Sequence, residues 1–502
     1  MPLAHELPSA FGILLAEFAM ALAIGNAQDL PFALKFVSDI LTIKIIYDNI
    51  VEIAQKGGRI MAIKLYEHFS YRKIFRFTLP SIIMMMFTSI YGVVDGLFVS
   101  NIVGDTEFAA LNFIMPYLMV LGAPGFMIGT GGCALISKVF GEGDKEKANK
   151  LFSMVVYSAI FLGIALALIG VFTVRPVAQA MGATGKMLDD CTLYGIIICI
   201  ALPAFLLQLC FQSIFVAAEK PQLGLYMSII SGVCNMALDA LFMAGFRWGL
   251  SGAALATALS QFVGGVLPVI YFARKNSSIY RLRAPYFEAN ALGKMLTNGS
   301  SELMSQVSMS LVGILYNIQL MTYAGENGVS AYGIMMYVNF VFISIFIGYS
   351  VGIAPVFSYH FGAQGYDELK NLRRKSVLII AIFSLCMLAL GQALAPAFSW
   401  IFVSHNQALY DLTLHGFRIF SFSFLFAGIA IFGSSFFTAL NDGVTSAIIS
   451  FLRTLVFQIG AVLLLPLIWE TDGIWASIIV AEVMAFAVTI FFMIIKKKKF
   501  NY

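Results

Sequence analysis

Charge is what this chain has least of. Asp, Glu, Lys and Arg make up 12% of its 502 residues, against about 25% in an ordinary soluble protein, and mean hydropathy is +0.88. A soluble globular domain is thereby excluded. The six cysteines (Cys133, Cys191, Cys199, Cys210, Cys234 and Cys386) lie in or beside apolar segments without metal-type spacing. They read as small core hydrophobes, with no disulfide framework implied. The five histidines are scattered, no zinc motif is present, and no glycine-rich phosphate loop ends in Lys-Ser/Thr. Direct use of ATP, a cofactor and a nucleic-acid partner are therefore not expected. An intramembrane enzyme would need a nucleophile–base or metal constellation, and none is visible, so no enzymatic activity is expected.

What the chain does have is the same message twice. Gly92, Gly104, Gly131, Ser137, Phe140, Gly141, Phe211, Ser213, Ala218 and Gly252 reappear 221 positions later as Gly313, Gly325, Gly352, Ser358, Phe361, Gly362, Phe432, Ser434, Ala439 and Gly473. In a hydrophobic chain a duplicated half marks a secondary transporter, whose halves rock around a site between them. From Arg76 onward twelve apolar stretches are long enough to cross a bilayer: 77–101, 108–137, 151–173, 188–215, 222–244, 250–273, 297–323, 330–358, 376–398, 408–438, 444–467 and 474–495. The fold expected is an all-α integral membrane protein, two parallel six-helix lobes around a central cleft. Residues 61–273 form the N-lobe, 274–296 a linker, 297–495 the C-lobe and 496–502 a basic tail.

Lys and Arg gather on alternate loops, among them Arg72, Lys73 and Arg76, Lys145 to Lys150, Lys275 to Lys294, Lys370 to Lys375 and Lys496 to Lys499. The opposite loops hold only Arg175, Lys186 and Arg247. By the positive-inside rule the linker and C-terminus are cytoplasmic, in a cell (inner) membrane. Residues 1–60 lie outside the repeat. They are expected to be non-native or dispensable, or else to add a span, with Met61 just ahead of a basic stretch where such a transporter would begin.

A carboxylate at the bilayer centre costs at least about 2.5–3.5 kcal/mol, so each one needs a reason. Asp239 lies in the fifth stretch with Ser228, Ser231 and Asn235 at helical spacing, a polar stripe that cannot face lipid. Asn235 and Asp239 offer a carbonyl and a carboxylate to a small cation, or a desolvated acid to a proton; the alternative is a structural seam against a neighbouring helix. Asp95, with Thr88 and Tyr91 on its face, could share that site. Glu302, followed by Gln306, Ser310 and Asn317, either neutralises a cationic substrate or favours a helix dipole. Arg453 and Glu482 read as a structural ion pair. The repeat places Tyr316 and Gly460 opposite Asp95 and Asp239, so the carboxyl pair belongs to one half. Methionines are abundant, Met84 among them, and suit either a pocket that repacks around varied ligands or plain filler.

Several segments, taken together, resemble the multidrug and toxic compound extrusion (MATE) family, most closely its bacterial MepA-like branch. They are Val94-Asp95-Gly96-Leu97-Phe98-Val99, Gly104 with Ala109-Ala110-Leu111, Ser137-Lys138-Val139-Phe140-Gly141, Asn235-Met236-Ala237-Leu238-Asp239 and Gly252-Ala253-Ala254-Leu255-Ala256-Thr257. The resemblance covers about Met61 to Lys499. It implies two six-helix lobes in a V and export of lipophilic organic cations or drugs against an H+ or Na+ gradient by a monomer. It also implies that Asp95, Asn235, Asp239 and Thr257 hold the coupling cation, and that Glu302 is an acidic position of the seventh span. Glu302, Gln306, Met84 and Tyr91 are the expected substrate-cleft residues. Many relatives follow the fifth-span Asp with Pro; here Ala240 removes that kink. A flippase for a lipid-linked saccharide precursor would share the two-lobe plan. It would call for a more cationic cavity than Arg418 and Arg453 supply.

Overall fold

The computed structural model describes residues 63–403 and 406–502; the expectations for residues 1–60 lie outside these. The first lobe is built from α1 (Tyr71–Phe98), α2 (Asp105–Gly141), α3 (Lys145–Ala180), α4 (Gly185–Ala217), α5 (Pro221–Asp239) and α6 (Gly249–Ala273). The next helix, α7, runs from Ala289 to Gly362. At 1.5 Å per residue such a rod would be more than three bilayers long. It is broken at Gly325, whose φ of 62° and ψ of −157° no helix contains. The break falls between the seventh and eighth expected spans, so the eleven long apolar helices among the described residues make twelve crossings.

The second lobe continues with α8 (Tyr366–Val403), α9 (Gln407–Phe420) joined through a 3-10 turn to α10 (Phe424–Ala439), α11 (Gly443–Phe451) joined through a π turn to α12 (Phe457–Leu464), and α13 (Pro466–Ile495). The helix that opens the second lobe begins at Ala289, eight residues before the expected C-lobe boundary at 297, so the connecting segment ends at Glu288. Within the basic tail, Lys497–Phe500 forms one helical turn. Beyond it Tyr502 is buried, its hydroxyl donating to the Met493 carbonyl at 3.0 Å.

The duplication is written in the backbone. Positive φ recurs at Gly104 and Gly325, at Gly143 and Gln364, and at Gly249 and Glu470, each pair 221 residues apart. The tight turns at Glu219 and Asn441 also match, with a slip of one residue. Between lobes, small residues let helices touch backbone to backbone. A Cβ on Gly131 of α2 would stand 2.0 Å from the Met295 carbonyl oxygen of α7, and one on Gly352 would stand 3.2 Å from the Thr78 Cα of α1. Gly92 and Gly313, farther from the basic loops, face open space within 4 Å. Close backbone contact between the lobes is thus concentrated toward the basic end.

Candidate functional site

Asp95 and Asp239 both sit beside a widened turn. Asp95 lies in the last turn of α1, ahead of a π segment at Val99–Val103. Asp239 ends α5, ahead of a π segment at Ala240–Gly245. The two π segments lie against each other. π turns concentrate at functional sites because they re-aim side chains without breaking a helix. At Ala240, which lacks a proline kink, the helix widens into this π turn.

The carboxyl groups of Asp95 and Asp239 face each other, and no basic side chain acts on either. Asp239 is fully buried. Neither of its oxygens, nor Oδ1 of Asp95, has a hydrogen-bond partner. Buried polar atoms are nearly always paired, so orphaned ones need an occupant or a mechanism. Asn235 donates from Nδ2 to Thr257 Oγ1 at 3.5 Å, which leaves its Oδ1 buried and without a partner. The structure thus brings together all four residues expected at the coupling-cation site.

It adds two that sequence reasoning missed. Tyr194, from α4, is within electrostatic reach of both carboxyls and near Thr257, its hydroxyl buried without a hydrogen-bond partner. Gln208 adjoins Tyr91 and donates to Ser231 Oγ at 3.2 Å, while Ser231 donates to the Ser260 carbonyl at 2.7 Å. Gln208 stood out as an amide inside the apolar run Phe205-Leu206-Leu207-Gln208-Leu209, a signal that was available. Tyr194 gave none. The unpaired atoms converging here are mainly oxygen acceptors: Asp95 Oδ1, both oxygens of Asp239, Asn235 Oδ1 and Gln208 Oε1. Such a set suits a proton shared by the acids, or a small hard cation.

A separate cavity of about 370 Å³ is walled mainly by the C-lobe, with Thr130, Cys133 and Ser213 from the N-lobe, and is lined among others by Glu302, Gln306, Tyr316, Met336, Arg453 and Glu482. Arg453 donates from Nε to both carboxylate oxygens of Glu482, at 3.1 and 2.9 Å, so the expected ion pair forms, and it forms on the cavity wall. Tyr316, standing where the repeat would put Asp95, donates to Gln458 Oε1 at 2.9 Å. Glu302 lies far past the first turn of a helix that starts at Ala289, beyond the reach of a terminal dipole. The four expected cleft residues do not form one group. Glu302 and Gln306 share the C-lobe cavity, Tyr91 belongs to the surroundings of Asp95, and Met84 is buried inside the helix bundle. Arg418 is exposed, its carbonyl accepting from Gln392, which leaves Arg453 alone of the two arginines at the cavity.

A profile of the MatE family matches residues 80–241 and 303–463, one stretch in each lobe. The chain is 25% identical over 420 residues to the multidrug export protein MepA of Staphylococcus haemolyticus (strain JCSC1435), covering 83% of this chain and 92% of that protein. It is 23% identical over 423 residues to MepA of Staphylococcus aureus (strain MRSA252), with the same coverage. Among solved structures it resembles a multidrug resistance MATE family transporter of the MOP superfamily in an outward-facing conformation, with a TM-score of 0.81 and 21% identity over 86% of this chain and 97% of that one. It also resembles a MATE protein in complex with MaL6, with a TM-score of 0.82 and 21% identity over 86% and 98%.

Proposed function

Because the chain belongs to the MatE family, we propose that it is a secondary active multidrug exporter that antiports lipophilic organic cations against H+ or Na+ by alternating access. The observation that carries the reading is the facing pair Asp95 and Asp239, buried without counter-charge and with three unpartnered oxygens. Two such acids cannot both stay charged and empty without large cost. Whether a proton or Na+ is bound therefore changes the balance of the N-lobe, which is what coupling requires.

Asn235 and Thr257 complete the ion's oxygen shell, and Tyr194 senses both acids. With the basic loops cytoplasmic, the end in close backbone contact is the inner one and the cleft faces outward, the state in which the coupling ion loads. Ion binding favours return to the inward state, where the ion leaves and a drug enters. Glu302 and Gln306 give a cationic drug a partner within the C-lobe. The names of the relatives at 23–25% identity support the drug-export reading, and a cavity with Arg453 already held by Glu482 gives a lipid pyrophosphate little to bind.

Purified protein in proteoliposomes, loaded with ethidium and given a pH or a Na+ gradient separately, tests this. Uphill movement under one gradient, lost in Asp239→Asn at equal incorporation, is the expected result and names the ion. Absence of uphill movement under either gradient overturns the antiport.

A further inference from the structure

The loop after α6 carries more order than its connecting role demands. Tyr280 plugs it into the N-lobe core, stacked on Phe152 at 5.6 Å and 2% exposed. Its backbone is stapled to neighbouring helices: Arg281 N–H donates to Asn149 Oδ1 at 2.7 Å, Leu282 N–H to the Phe272 carbonyl at 2.8 Å, and Arg283 N–H to Ser153 Oγ at 3.0 Å. Asn276 accepts from Ser278 N–H at 2.9 Å and fixes the first bend.

The result is a fixed concavity of about 720 Å³ between this loop and the first turn of α3, lined by Lys145, Lys275, Arg281 and Arg283. All four side chains are exposed, and among the described residues none has an ion-pair partner. The only acid on the wall, Glu146, is engaged by Lys150 at 2.9 Å. The pinned backbone keeps the attachment points of Lys275, Arg281 and Arg283 close to one another and to Lys145 of α3. On the same wall, Asn149 is 7% exposed and its Nδ2 is a buried donor without a partner.

We propose that this concavity binds the phosphate headgroup of an anionic membrane lipid. Its depth distinguishes a lipid from a soluble phosphate. It lies where α3 begins and α6 ends, at the end of two membrane-crossing helices, and Phe287 of the same loop is 73% exposed. Aromatic and basic residues side by side are what a headgroup boundary favours. Lys275, Arg281 and Arg283 hold the phosphate, and Asn149 and Ser278 offer neutral hydrogen bonds below them.

The test measures binding and is independent of transport. Full-length protein in detergent is titrated with phosphatidylglycerol, with phosphatidylcholine and with inorganic phosphate, and lipid retained is read by native mass spectrometry and by melting temperature. Phosphatidylglycerol is expected to bind at least about tenfold more tightly than phosphatidylcholine. That preference should vanish in the triple variant Lys275→Gln, Arg281→Gln, Arg283→Gln and persist with Arg281→Lys and Arg283→Lys. Equal binding of the two lipids by the unmutated protein overturns the proposal, whatever the variants do. So does an undiminished preference in the triple variant. Inorganic phosphate stabilising as well as the lipid would overturn the lipid assignment and give the concavity to a soluble phosphate compound.

Discussion

Gly141 and Gly362 hold the same place in opposite lobes, and each lies on the other's helix. A Cβ on Gly141 would stand 2.1 Å from the Tyr359 carbonyl oxygen, and one on Gly362 would stand 2.0 Å from that of Lys138. Both pairs obey the 221-residue repeat, so this crossing of α2 and α7 marks the pseudo-two-fold axis between the lobes. It closes the basic end by backbone contact that no larger residue permits.

Alanine at either glycine should therefore prise that end apart. Overpacking costs about 1–3 kcal/mol, roughly a 5- to 150-fold change in the balance between closed and open states. Spin labels at Lys145 and Tyr366, the first residues of α3 and α8, would report it as a longer distance population in Gly141→Ala and in Gly362→Ala. Gly293→Ala serves as control, since its added Cβ meets nothing within 4 Å. Identical distance distributions in all three would refute the axis contact as the inner seal.

A second seal crosses the same end. Leu65 N–H donates to Glu219 Oε1 at 2.9 Å and Lys64 to Glu219 Oε2 at 2.8 Å, while Phe69 N–H donates to Glu368 Oε1 at 2.9 Å. Leu65 and Phe69 are fully buried, so the segment before α1 straps the N-lobe turn to the start of α8. Glu219→Ala strands a buried backbone donor and should cost about 1–3 kcal/mol, read as a lower melting temperature. Within the strap, Lys73 bonded to Glu67, with the Lys64 N–H, holds the Glu67 carboxyl below its ordinary value. Its contribution is fully present above the ordinary glutamate value and disappears as pH falls through the lowered folded one. Glu67 is part-exposed, so Glu67→Gln should remove only about 1 kcal/mol or less at neutral pH, and nothing at the acid end of a melting series. A deficit that grows on acidification would contradict that sign.

Much of the fold was legible because its signals are coarse. Twelve apolar stretches and a fixed repeat survive any uncertainty about side-chain packing, and the breaks at Gly325 and Glu470 fall in gaps that hydropathy already left open. Asn235 and Asp239 stood out because polar residues in an apolar span are conspicuous, whereas Thr257 was indicated only by the family resemblance. The Met84 and Tyr91 assignments did not survive as a cleft, since periodicity tells which residues share a helix face but not which neighbour that face meets. Tyr194 was invisible for a related reason: an aromatic in an apolar helix is ordinary until a carboxyl stands beside it. The π turns after Asp95 and Asp239 have no sequence signature, because one extra residue per turn leaves composition unchanged.

The Arg453–Glu482 pair should behave as a buried bridge whose halves fail separately. Glu482 is 5% exposed and gives Arg453 Nε both of its oxygens. Glu482→Leu leaves an unpaired guanidinium and Arg453→Met an unpaired carboxylate, and each should cost about 3–5 kcal/mol, whereas the two changes together should cost far less. Melting temperatures of the two singles and the double decide it. Additive losses would mean that the pair makes no mutual contribution.

The Asp95–Asp239 pair makes the sharpest demand, because facing acids that share one occupant cannot contribute independently. Asp95→Asn and Asp239→Asn should each lower gradient-driven export by about 5- to 150-fold, the usual span of a coupling energy. The double variant should be no worse than either single, as residues acting as a unit are strongly non-additive. Ethidium binding to detergent-purified protein should stay within a few-fold throughout, since Glu302 lines the separate C-lobe cavity. Tyr194→Phe keeps the ring and removes the hydroxyl within electrostatic reach of both carboxyls, so it should shift the ion concentration giving half-maximal transport without abolishing the maximum. If the two Asn substitutions instead multiply, each acid works alone and the shared-ion site fails. If they reduce ethidium binding as deeply as transport, the pair is a drug-binding site rather than a coupling one.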